Sequence, residues 1–91
     1  MAKVTLKGFI EVPGSDLDGV QAELNTHRQL TLEEPGCITF KVTQDKTDPC
    51  RFDVYEEFID RKAFEEHQQR VASSDWGKLT RNVKRHYEVF E

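Results

Sequence analysis

The chain has 91 residues, 36% hydrophobic and 33% charged, with thirteen Lys and Arg against seventeen Asp and Glu and a formal net charge of −4. That length holds one core, so a single domain over 1–91 is expected, and so small a core gains from a partner subunit. No basic run exceeds Lys84-Arg85-His86, which argues against nucleic acid. No apolar stretch approaches the roughly 18 residues of a membrane span, and Glu11 and Asp16 interrupt the region a secretory signal would need apolar. A cytoplasmic protein with neither membrane nor nucleic-acid partner is expected.

Val4–Val12 is apolar and β-branched enough for a first strand, with Val4, Leu6, Gly8 and Ile10 on one face. Pro13-Gly14 closes it, and Ser15 or Asp16 is placed to cap a helix. There Leu17, Val20, Leu24 and His27 recur at three- and four-residue steps, until Pro35-Gly36 ends the run. The second strand, Cys37–Gln44, alternates Ile38, Phe40 and Val42 inward against Thr39, Lys41 and Thr43. Asp45-Lys46-Thr47-Asp48-Pro49 is a turn, because Asp bonds its own backbone and Pro fixes φ.

The third strand, Arg51–Ile59, places Phe52, Val54, Glu56 and Phe58 on one face and Asp53, Tyr55, Glu57 and Ile59 on the other. Asp60 caps a helix in which Ala63, His67 and Val71 align beside Phe64. Ser73 or Ser74 with Asp75 starts a short helix carrying Trp76 and Leu79. A last strand, Arg85–Phe90, sets Tyr87 and Val89 against His86, Glu88 and Phe90.

Strand, helix, strand, strand, helix, strand is the split-βαβ, ferredoxin-like α+β plan with an antiparallel sheet. Both helices cover one face of such a sheet. The other face would carry Thr5, Phe9, Tyr55, Ile59 and Phe90, too apolar to leave in water, so a homodimer packed sheet to sheet is expected. If Gln44 opposes Arg51, Cys37 falls opposite Phe58. The sulfurs of Cys37 and Cys50 then lie about 20 Å apart along the hairpin and cannot form a disulfide. No Cys-x-x-Cys occurs and the three histidines are far apart in sequence, so no metal site is expected.

Two side chains fit their surroundings poorly. Glu56 sits on an apolar strand face, where an unpaired buried carboxylate is costly; an arginine such as Arg85 is a candidate partner. His67 lies between Ala63 and Val71 on a helix stripe, either bonded to backbone or Glu56 or serving as a pocket base. His27 is expected to be partly exposed, and the mixture from Glu65-Glu66 to Arg70 reads as a solvated helix face. Cys37 reads as a small buried hydrophobe.

The stretch Glu34-Pro35-Gly36-Cys37, Phe40, Phe52, Tyr55-Glu56, Phe58, Asp60, Ala63-Phe64 and His67 resembles the central segment of the antibiotic biosynthesis monooxygenase family of dimeric α+β barrel proteins. The resemblance implies homodimers whose sheets form a barrel, and a pocket in each subunit between sheet and helices. It also implies oxidation of small aromatic or quinol-type molecules by O₂ without a cofactor. On that pattern His67 and Glu56 are the catalytic pair, and His27, Trp76, Phe58 and Phe64 are substrate-binding. Some quinone-forming members carry a tryptophan where this chain has Phe58, a tyrosine where it has Phe64 and an asparagine where it has Val54. Two other readings keep the same pocket: an isomerase of a small carbonyl metabolite, and a non-catalytic ligand-binding or stress-associated dimer.

Overall fold

A computed structural model describes residues 3–91. The chain runs β1 (Val4–Glu11), a 3-10 turn (Gly14–Asp16), α1 (Leu17–Leu32), β2 (Cys37–Gln44), β3 (Arg51–Phe58), α2 (Arg61–Ala72), α3 (Asp75–Leu79) and β4 (Lys84–Phe90). The strands form one antiparallel sheet in the order β2-β3-β1-β4. This is the ferredoxin-like α+β architecture the element order predicts.

Local chemistry explains most boundaries. Asp60 accepts a hydrogen bond from the Ala63 N–H at 2.8 Å to start α2, and Ser74 accepts one from Gly77 at 3.1 Å to start α3. Helix α1 differs from expectation. Asp16 occupies the capping position but its side chain makes no capping bond, and Ser15 lies inside the 3-10 turn. The turn itself, closed by Asp16 N–H to the Pro13 carbonyl at 2.8 Å, leads the chain into the helix. In the β2–β3 turn one oxygen of Asp45 accepts bonds from the Thr47 and Asp48 N–H groups, at 3.1 and 2.9 Å. Gly8, in the middle of β1, adopts φ 157°. A Cβ there would meet the His86 carbonyl oxygen at 1.9 Å, so only glycine lets β4 pair this closely.

The β2–β3 register starts as predicted and then departs. Cys37 faces Phe58, but a bulge between Cys37 and Thr39 shifts the remaining pairs by one, so Gln44 opposes Phe52 rather than Arg51. The extra residue is Ile38, which is 50% exposed instead of inward. Phe40 keeps its inward place and is buried.

Val4, Leu6, Ile10, Phe52, Val54 and Phe58 form the sheet's share of the core, with Val20, Phe64 and Trp76 descending from the helices. Tyr87 and Val89 point to this same side, opposite Gly8 and Leu6, yet both are partly exposed because β4 is a sheet edge beyond the helical layer. The other face has no layer over it. Phe9, Tyr55 and Phe90 are there, but charged groups lie across them. Arg51 sits 3.8 Å from the Phe9 ring centroid, Lys7 sits over Phe90, and Tyr55 donates to Glu57, which also binds Lys3. Ile59 falls just past the end of β3, where its N–H bonds the Gly36 carbonyl. Among the described residues no helix is long and apolar enough to cross a membrane.

Candidate active site

The site begins where α1 stops. After Leu32 the chain turns through Glu34-Pro35-Gly36, pinned by the Glu34 N–H on the Thr31 carbonyl and the Cys37 N–H on the Glu34 carbonyl, both at 3.1 Å. Gly36 lies against α2 so closely that a Cβ would be 2.3 Å from the Ala63 Cβ. That approach delivers the Glu34 carboxylate to α2. Nδ1 of His67 straddles its two oxygens at 3.0 and 3.1 Å, while Arg70 Nε binds one of them. Arg70 also donates to Thr31 Oγ1 at 3.0 Å, tying α2 to the end of α1.

The other face of the His67 ring looks inward. Its Nε2 lies 3.6 Å from Glu56 Oε1, too long for a direct hydrogen bond. Glu56 and His67 are both nearly fully buried, at 6% and 3% exposure. Arg85, expected near Glu56, instead donates to Val83 O and Thr80 Oγ1. Glu56 Oε1 is therefore left without a hydrogen-bond partner, and so is the buried His27 Nδ1.

These groups meet at a cavity of about 170 Å³ between the sheet and the helices. Leu6, Phe40, Val54 and Val71 supply apolar walls; Glu56, His27, His67, Arg85 and Tyr87 supply polar ones. His27 is buried rather than partly exposed, because Trp76 covers it in a parallel stack with centroids 4.5 Å apart. Phe40 meets its edge at 5.3 Å. Trp76 thus forms a wall of the cavity through the short helix α3. Phe58 and Phe64 do not line it. They pack edge to face with each other in the core, and Phe58 buttresses the His67 ring from behind at 4.9 Å.

Burial sets the protonation states. Glu56 is pushed up from 4.5 to about 7, chiefly by desolvation and further by the nearby Glu34. His27 is pushed down from 6.5 to about 3 by burial, then by His67 and the arginines Arg70 and Arg28. His67 is also lowered: burial outweighs the opposing hydrogen bond and charge of Glu34. Tyr87 rises to about 12, first from burial and then from Glu56. At neutral pH both imidazoles are neutral, the phenol holds its proton, and Glu56 stands near half-protonation.

Glu34 and Arg70 belong to this site; in the sequence Glu34 only heads the segment that carries the resemblance, and Arg70 reads as part of a solvated helix face. The one signal in the sequence was a carboxylate directly before Pro-Gly, at a helix end where negative charge is disfavoured. Both cysteines are free, with Cys37 beside the two carboxylates and its thiol raised mainly by burial. No group of three His, Cys, Asp or Glu able to hold a metal ion occurs among the described residues.

A four-stranded antiparallel sheet in this order, with its helices on one face, places the chain in the ferredoxin-like class of α+β proteins. Residues 4–79 match the family model for antibiotic biosynthesis monooxygenase, and the chain belongs to that family. A search of curated proteins finds no match. Among solved structures, MupZ from Pseudomonas fluorescens aligns with TM-score 0.78 and 18% identity, over 98% of this chain and 71% of its own. PA3566 from Pseudomonas aeruginosa gives 0.76 and 19%, over 99% and 91%. A structure described as an antibiotic biosynthesis monooxygenase gives 0.70 and 22%, over 99% and 94%. At these identities the alignments establish a shared fold.

Proposed function

We propose that the 1–91 chain acts as one domain that oxygenates a single-ring hydroxylated aromatic, of hydroquinone type, with O₂ and without a cofactor. The observation that carries this reading is the unpartnered Glu56 oxygen, poised near half-protonation beside a neutral His67 inside the cavity. The cavity's about 170 Å³ compares with the ~150 Å³ that accommodates benzene in an engineered apolar cavity. The cavity matches a single ring in size.

A hydroquinone contributes its own electrons, so the protein's work is to bind it, take a proton and exclude water. Glu56 Oε1 accepts the hydrogen of one substrate hydroxyl, and His67 is the next base behind it. His27 Nδ1 is the second unpartnered polar atom and positions the far side of the ring. Tyr87 keeps its proton and donates to the oxygen that gains negative charge. Overall, hydroquinone plus O₂ gives hydroxyquinone plus water. One oxygen atom enters the ring in place of hydrogen, the other leaves as water, and all four electrons come from the substrate. His67 and Glu56 keep their catalytic roles in this reading, and His27 and Trp76 their substrate-binding ones, while Phe58 and Phe64 act only as support. The family's homodimer is part of the proposal, with Phe9, Tyr55 and Phe90 of the open face meeting a second copy.

The test is oxygen uptake with a panel of dihydroxybenzenes, against buffer and a folded His67→Ala variant. Uptake at one O₂ per substrate, lowered at least about a hundredfold by the substitution, is the expected result. Rates equal in wild type, variant and buffer would overturn the reading. Turnover of a small carbonyl compound that persists without O₂ would replace it with proton-transfer isomerisation on the same pair.

A further inference from the structure

His67 borders two cavities. Inward it lines the about 170 Å³ pocket with Glu56; outward it lines a separate groove of about 220 Å³ with Glu34, Pro35, Gly36 and Arg70. The ring itself is 3% exposed, whereas the Glu34 side chain is 17% exposed and the Arg70 side chain 29%. A buried imidazole thus bridges a carboxylate that reaches water and a carboxylate that does not. We infer that Glu34 is a positioning and relay residue, and that Glu34, His67 and Glu56 form a proton path from the outer groove to the buried Glu56 end of the inner cavity.

The geometry fits each step. Nδ1 rests on both Glu34 oxygens at 3.0 and 3.1 Å, so the neutral ring carries its hydrogen there and offers the Nε2 lone pair to Glu56. Arg70, itself anchored on Thr31 Oγ1, holds the outer carboxylate in place. Gly36 permits the contact, since any side chain would drive the loop off Ala63. The 3.6 Å from Nε2 to Glu56 Oε1 is the kind of gap that tightens when a substrate fills a site. The groups facing His67 are Glu34 from the α1–β2 loop, Arg70 on its own helix, Glu56 from β3 and His27 from α1, with Cys37 alongside.

The path moves one proton at a time. Glu56 takes the proton from the substrate hydroxyl and passes it to Nε2, while Nδ1 gives its own to Glu34 and thence to water. Charge balances: the cavity is left with the substrate anion and a carboxylate, and one proton has entered solvent. Running in reverse, the path returns a proton to reduced oxygen and restores the Nδ1–H tautomer.

What the proton serves rests on the proposed function, but the path is testable in the free protein. In ¹⁵N-histidine-labelled protein, exchange of the His67 ring N–H with water is measured by NMR. Glu34→Gln keeps the size and the acceptor oxygen but takes no proton, and should slow exchange at least tenfold. Glu34→Asp should restore it in part. Exchange unchanged or faster in Glu34→Gln overturns the relay. If Glu34→Gln does not fold, wild type decides alone. A relay makes the ring proton exchange far faster than the backbone amides of Phe64 and Val71 on the same helix, and equal slow rates refute it. None of these readouts needs O₂ or turnover, so loss of the oxygenase reading and loss of the relay are separable.

Discussion

Glu56→Gln tests the electrostatics of the site through stability. The glutamine matches the side chain in size and removes the ionisation. In the native state this carboxyl is moved from 4.5 to about 7, so between those values the folded protein holds a proton that the unfolded chain has released. Stability from this group is full below about pH 4.5 and is lost as pH rises through 7. At 1.36 kcal/mol per pH unit the loss is about 3 kcal/mol, most of it between pH 5 and 8. His27, lowered to about 3, and His67, lowered in the same sense, act oppositely: their contribution is lost as pH falls below 6.5. Wild type alone therefore shows a shallow profile, and the quantity to read is the difference from Glu56→Gln. Urea unfolding of both proteins from pH 5 to 8.5, at one protein concentration, should show the variant gaining about 2–3 kcal/mol on wild type. A constant offset is expected from the buried amide and does not matter. Parallel curves, differing by less than about 0.5 kcal/mol in their pH dependence, would mean that Glu56 titrates normally and is not buried as described.

Two further outcomes follow from the packing. Gly36→Ala should cost about 1–3 kcal/mol in thermal or urea unfolding, because the new methyl meets Ala63 at 2.3 Å; an unchanged midpoint would show that the loop is not held against α2. Trp76 is the only tryptophan and stacks on His27 at the cavity wall, so titrating a single-ring phenol should change its emission. Binding detected by calorimetry with no change in emission would place the ligand elsewhere.

The fold is legible in the sequence wherever a face is decided by alternation or a boundary by a turn residue. Phe52, Val54, Glu56 and Phe58 alternate and share a buried face; Asp60 and Ser74 cap as their side chains allow. The strand β2 was legible only in part, since inserting one residue into a ladder leaves no mark in hydrophobic periodicity and Ile38 reads as inward. His27 was misjudged because its burial comes from Trp76, forty-nine positions later, and stacking between distant elements has no local signature. Glu34 and Arg70 were hidden for the same reason. The Glu56–His67 pair was visible because each residue contradicts its own surroundings.

The bulge at Ile38 carries a consequence for how this strand tolerates length change. Cys37 and Phe40 both face the helices, with two residues between them where a regular ladder has one. Removing Ile38 would leave Cys37, Thr39 and Phe40 in strict alternation, with every inward side chain on its present side. Adding a residue to the regular stretch Phe40–Gln44 would instead turn part of the strand over. Along β2, then, a deletion at one position is the mild event, and homologues one residue shorter there can carry the same pocket.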